Sequence, residues 1–161
     1  MSVVFNADEI FEMAEQLERN GAKFYRAAAE KFSSVRQLLL ELAAMEDEHE
    51  QTFAAMRMEL SGAEQQPTVF DPDGQAQMYL RSMSDGHVFD VKADPAEQLG
   101  NLQTPEGVLK KAIDLEKDSI VFYVGLKQFV PPKAGKGRVQ AIIEEEMSHI
   151  VTLNRQLADL K

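Results

Sequence analysis

The 161-residue sequence predicts an all-α protein, a four-helix bundle of two helical hairpins joined by a long crossover. Three observations predict it. The six prolines stand at 67, 72, 95, 105, 131 and 132, so long stretches on either side of the middle carry none. Within those stretches apolar residues recur at alternating spacings of three and four, the period of a helix buried along one face. Between them, residues 62–104 collect Gly62, Pro67, Pro72, Gly74, Gly86 and Pro95, too long a connection for a tight turn. The chain therefore reads as one domain, with hairpins over 7–61 and 105–160 and a crossover over 62–104.

The first helix opens on a capping box, Asn6 with Glu9, flanked by Phe5 and Ile10 as a hydrophobic staple, and should run to about Phe32. Ser33 or Ser34 then caps a second helix that should reach about Leu60, before Ser61-Gly62. Thr104 caps a third, with Pro105 at its first position, where the missing N–H is no loss. Pro131-Pro132 ends that helix by Val130, Lys133 to Gly137 form a turn, and a fourth helix runs to the C-terminus. At about 25 residues each, the helices span roughly 38 Å. A short extra helix is expected over Asp73 to Ser84 in the crossover, docking through Met78 and Leu80.

Composition narrows the function classes. Hydrophobic residues are 44% and charged residues 27%, ordinary globular values. Lys and Arg total 17 against 27 Asp and Glu, a net charge of −10, which argues against nucleic acid or an anionic membrane as partner. There is no Cys, which excludes disulfides, Cys-ligated zinc, iron–sulfur clusters and a thiol nucleophile. Met1 to Asn6 is too short for a signal peptide, and no apolar run approaches ~18 residues, so the expected compartment is the cytoplasm.

The chemistry lies where the apolar stripes break their own rule. Phe11, Ala14, Gly21, Tyr25, Ala28 and Phe32 form the first stripe, and Glu18 completes it. Val35, Leu39, Leu42, Phe53, Met56 and Leu60 form the second, with Glu46 and His49 in the gap. Leu109, Ala112, Ser119, Tyr123, Leu126 and Val130 leave Glu116 in line. Val139, Ile142, Leu153 and Leu160 leave Glu146 and His149. Four carboxylates and two imidazoles are thus directed into an apolar interior. An unpaired buried ion costs several kcal/mol even after relaxation. No Lys or Arg lies on these stripes, and Lys23, Lys110 and Lys117 belong to other faces. Two divalent cations would cancel four glutamates, and oxygen and imidazole donors suit iron, manganese or zinc. Glu and His three apart share one helix face, so both reach one cation.

The pattern occurs twice. Each half has a lone Glu with a Tyr seven residues later (Glu18 and Tyr25, Glu116 and Tyr123). A Glu-x-x-His follows, 28 residues after the lone Glu in the first half and 30 in the second. Tyr25 and Tyr123 read as core aromatics or as donors to a ligand carboxylate. Gly21 reads as room for a neighbour or for metal, or equally as close helix packing. Asp47, Glu48, Glu50, Glu144 and Glu145 read as solvated, the methionines as core filling, and His87 as a loop residue. Lys133, Lys136 and Arg138 read as a solvated turn, with docking of an acidic electron-donor protein as the alternative.

Glu18-Arg-Asn-Gly-Ala-Lys-Phe-Tyr25, Glu46-Asp-Glu-His49, Glu116-Lys-Asp-Ser-Ile-Val-Phe-Tyr123 and Glu146-Met-Ser-His149 resemble the rubrerythrin family of the ferritin-like di-iron carboxylate superfamily. The resemblance covers both hairpins and says little about the crossover. It implies a ferritin-like bundle holding two iron ions, with manganese or zinc as alternatives. Glu18 and Glu116 would be terminal ligands, Glu46 and Glu146 bridges, and His49 and His149 would each complete one shell. It further implies an oxidoreductase, in oxidative-stress defence, that reduces hydrogen peroxide or dioxygen with electrons from a separate donor protein, in a homodimer. A ferroxidase or iron-storage protein and a di-manganese catalase are the alternatives. Two departures bear on the activity. Ser119 stands where rubrerythrins usually carry a further carboxylate, and the Cys-ligated rubredoxin domain that usually delivers electrons is not in this sequence.

Overall fold

A computed structural model describes residues 7–60, 73–75, 78–79, 94 and 97–161. Four long helices make up the frame: α1 Ala7–Lys31, α2 Arg36–Met58, α3 Pro105–Phe129 and α4 Lys136–Asp159. Phe5, Asn6, Leu80 and His87 lie outside the described residues.

Cross-helix contacts fix the directions. Arg57 of α2 pairs with Asp8 of α1 (Nε–Oδ1 2.7 Å), and Arg19 of α1 pairs with Glu50 of α2 (2.6 Å), so α1 and α2 are antiparallel. Lys127 Nζ donates to Gln140 Oε1 (2.6 Å), which sets α3 against α4 in the same way. Lys31 Nζ, at the end of α1, donates to the carbonyls of Leu99 (3.1 Å) and Leu102 (2.6 Å), just before α3. The second hairpin therefore starts beside the far end of α1, while α2 ends beside its beginning. The chain thus leaves the first hairpin and enters the second at opposite ends of the bundle.

Helix ends follow the sequence in part. Thr104 Oγ1 accepts from Gly107 N (3.0 Å), and Pro105 opens α3 as expected. The turn before α4 is a short 3₁₀ segment, Pro132–Ala134, closed by Gly135 with φ +107. The expected Ser33 or Ser34 cap does not form. Ser33–Val35 is itself a 3₁₀ turn, and α2 begins after it with Val35 at its cap and no side-chain cap bond. A turn that carries the chain from α1 into α2 satisfies these groups through the backbone, as Val35 N donates to Phe32 O (3.2 Å).

The stripes face inward as their spacing requires. Two apolar clusters fill the ends of the bundle, one around Phe11, Phe53, Phe122 and Tyr123, the other around Phe24, Tyr25, Leu39 and Leu109. Each fully buried large side chain contributes about 1.5–3 kcal/mol. Leu160 departs from the expected stripe and is 39% exposed, because it follows the last residue of α4. Met78, expected to dock, is 68% exposed. Its neighbour Tyr79 packs against the first cluster and donates from its hydroxyl to Val121 O of α3 (2.5 Å).

Candidate metal centre

Between the two apolar clusters each helix turns a polar residue inward: Glu18 from α1, Glu46 and His49 from α2, Glu116 from α3, Glu146 and His149 from α4. All six are buried, and Glu146 completely. They form two overlapping groups, Glu18–Glu46–His49–Glu146 and Glu46–Glu116–Glu146–His149. In each, one nitrogen or oxygen per residue lies within 4.8 Å of the others. Glu46 and Glu146 belong to both groups. The two imidazole rings have their centroids 5.7 Å apart and their planes 19° from parallel.

The Nδ1 atoms face the carboxylates. His49 Nδ1 is 3.4 Å from Glu18 Oε2 and 3.3 Å from Glu146 Oε1. His149 Nδ1 is 2.9 Å from Glu146 Oε2, 3.4 Å from Glu116 Oε1 and 3.6 Å from Glu46 Oε1. None of these contacts is aligned as a hydrogen bond. Glu18 Oε2, Glu46 Oε1, both oxygens of Glu146 and both Nδ1 atoms are buried without a partner. Among the described residues the only other such atom is Gln98 Oε1. Buried polar atoms in folded proteins are almost always satisfied, and six such atoms gathered in these two groups fit the donor set of a cation site.

Electrostatics agree. Burial, reinforced by the charges of Glu18, Glu146 and Glu116, pushes the Glu46 carboxyl well above its ordinary range. Burial and the charges of Glu116 and Glu18 push Glu146 up to about 8. Burial opposes the charged form of both histidines, yet the carboxylates outweigh it. Glu146 and Glu18 raise His49 to about 11, and Glu116 and Glu146 raise His149 to about 9. Burial also opposes ionised Glu116, but contacts with His149, Glu146 and Tyr25 hold its carboxyl below the usual value. Without a cation the cluster holds its charge down by keeping protons.

Both tyrosines touch the site, but not on their own helices. Tyr25 of α1 donates to Glu116 Oε1 of α3, and Tyr123 of α3 donates to Glu18 Oε1 of α1. The pairing of 18 with 123 and 25 with 116 makes α1 and α3 antiparallel. Gly21 is room for a neighbour: a Cβ there would lie 2.4 Å from Glu46 Oε2.

Sequence reasoning missed the outer contacts of the histidines. Glu145, expected to be solvated, accepts from His49 Nε2–H at 2.7 Å. Met45, expected as core filling, is exposed on α2 and sets its sulfur 3.2 Å from His149 Nε2. Each residue immediately precedes the glutamate of a Glu-x-x-His, but its contact is made across the hairpins and depends on the neighbouring helix. The expected solvated residues Asp47 and Glu50 are paired with Arg26 and Arg19, and Arg138 of the expected basic turn is paired with Glu59. Such half-exposed pairs contribute little. A cleft of about 280 Å³, lined by Glu48, His49, Thr52, Arg138, Ala141, Ile142 and Glu145, opens between α2 and α4 and reaches the His49 ring.

Comparison with known proteins accounts for this arrangement. The sequence profile of rubrerythrin matches residues 9–157. The chain belongs to the rubrerythrin family. A crystal structure from Thermotoga maritima, named as a candidate ferritin-like diiron-carboxylate protein, is 27% identical, superimposes with a TM-score of 0.70, and is covered to 97% by 98% of this chain. No curated protein matches. The rubrerythrin assignment and the four-helix frame confirm the ferritin-like bundle expected from the sequence. Among the described residues no helix is long and apolar enough to cross a membrane.

Proposed function

We propose that this rubrerythrin-family protein is a non-haem di-iron oxidoreductase that reduces hydrogen peroxide or dioxygen with electrons from an external donor. One observation carries the reading: two four-residue ligand groups share Glu46 and Glu146, and six buried ligand atoms among them lack any other partner. Glu18 and His49 would hold one ion and Glu116 and His149 the other, with Glu46 and Glu146 bridging. The acceptors are hard oxygens and imidazole, which suit iron and leave manganese and zinc as alternatives. A pair of bound ferrous ions supplies two electrons to an oxidant.

The chain's own groups prepare that chemistry. The four glutamates bring the negative charge that two divalent ions need. Hydroxyl donation from Tyr123 and Tyr25 fixes the Glu18 and Glu116 carboxylates, so one oxygen of each is turned toward the centre. The apolar clusters at either end keep bulk water away, and the cleft beside His49 admits a small oxidant. The electron donor we expect is a separate protein. The assembly we expect is a homodimer in the cytoplasm.

Anaerobic ferrous protein mixed with peroxide or with dioxygen in a stopped-flow cell tests the reading. Faster oxidation by peroxide supports it, and turnover stalls after one oxidation unless a donor is present. Equal or reversed rates favour a ferroxidase, and sustained peroxide loss without reductant favours a di-manganese catalase. Sedimentation as a large cage would favour storage.

A further inference from the structure

The two halves of the centre are built on one plan, which makes a chemical mismatch beside their histidines informative. Met45 and Glu145 hold equivalent places, each one residue before a bridging glutamate and four before a histidine. Because α2 and α4 run antiparallel, each reaches the histidine of the opposite hairpin: Glu145 meets His49 (2.7 Å) and Met45 meets His149 (3.2 Å). The chemistry of the two contacts differs. A carboxylate accepts a charge-assisted hydrogen bond, fixes the ring with its proton on Nε2, and leaves the Nδ1 lone pair facing the other ligands. A thioether is a weak acceptor and exerts little of that control. Glu145 also adds a fourth carboxylate beside the Glu18–Glu46–His49–Glu146 group, and Met45 adds none beside the other.

We propose that Glu145 is a positioning residue for His49 that makes the two metal positions unequal, so that the Glu18–Glu46–His49–Glu146 position fills first and more tightly. Glu145 itself is 55% exposed at the side chain and lines the cleft, so it meets an entering cation before the buried ligands do. The inference rests on the dinuclear reading above.

Calorimetric titration of the whole chain with ferrous ion under argon tests it. Wild type takes up two ions in two resolved steps. Glu145→Gln weakens the tighter step ten- to a hundredfold and so narrows the separation. Met45→Glu supplies the missing carboxylate to His149 and tightens the weaker step by a similar factor. A second measurement needs no variant of either contact. With one equivalent of zinc, ¹⁵N-histidine NMR of wild type shows the His49 ring shifted before the His149 ring. Simultaneous shifts, or His149 first, overturn the inference. So does a step ratio unchanged within twofold in both Glu145→Gln and Met45→Glu. Uptake of fewer than two ferrous ions by wild type overturns the dinuclear reading and this inference with it. Two ions with an unchanged ratio overturn this inference alone.

Discussion

Tyr123 donates its hydroxyl to Glu18, a residue 105 positions away on the other hairpin. The bond is buried, so its loss leaves a carboxylate oxygen in a low-dielectric interior without its donor. Tyr123→Phe should destabilise the metal-free protein by about 1.5–3 kcal/mol. A double-mutant cycle with Glu18→Gln should show coupling of at least about 1 kcal/mol, whereas Tyr123→Phe with Glu116→Gln should be near additive. Urea melts of the set decide between them.

Glu46→Gln keeps the shape of the side chain and removes a charge that burial and three neighbouring carboxylates disfavour. The variant should be more stable than wild type in chelator and less stable with ferrous ion under argon. Bound metal adds about 4 kcal/mol at a thousandfold excess over Kd, and that gain depends on the ligands. Exposed Glu48→Gln should shift neither condition by more than about 0.5 kcal/mol. Identical behaviour of the two variants in both conditions would remove Glu46 from the ligand set.

Gly21→Ala separates folding from binding. Helix propensity favours Ala by about 1 kcal/mol, and the new Cβ strikes only the mobile end of the Glu46 side chain, at 2.4 Å from Oε2. The metal-free melting temperature should hold or rise. Ferrous affinity should fall at least tenfold, because the bridging carboxylate has moved. Calorimetry beside a thermal melt reads both, and unchanged affinity would contradict the geometry.

The protonation pattern gives the metal-free protein a signed pH dependence. The histidine contribution is fully present below the unfolded value of 6.5 and is lost as pH rises through about 9 for His149 and about 11 for His49. Glu146 is raised from 4.5 to about 8, so its folded form also retains a proton that the unfolded chain has lost. Glu116, held low, acts in the opposite sense only at acid pH. Between pH 6 and 9 the folded state therefore binds more protons than the unfolded one, and stability falls by up to about 1.4 kcal/mol per pH unit for each extra proton. Melts in chelator across that range should decline steadily, and a flat or rising curve would refute the assignment.

The six candidate ligands were legible because a charge on an apolar stripe contradicts the stripe. Glu18 and Glu146 could be picked out by spacing alone, and the structure buries them where that spacing put them. The partner of Tyr25 was not legible. Its reach to Glu116 depends on α1 and α3 running antiparallel, a tertiary fact that no single helix encodes. Glu145 was hidden for the same reason. An exposed glutamate looks solvated until the neighbouring helix sets His49 beside it. Ser33 and Ser34 misled because cap chemistry is local, whereas the turn between α1 and α2 is set by how tightly the hairpin closes.

The division of the candidate ligands between the two hairpins has a consequence for assembly. Under the proposed ligand set each ion takes three ligands from one hairpin and one from the other, so neither hairpin holds a full complement alone. The segment between them serves as a tether that sets the effective concentration of one half at the other. A chain cut once within residues 62–93 should behave as a heterodimer of fragments. Its melting temperature should vary more steeply with protein concentration than that of the intact chain, and ferrous ion should act on it as an agent of association.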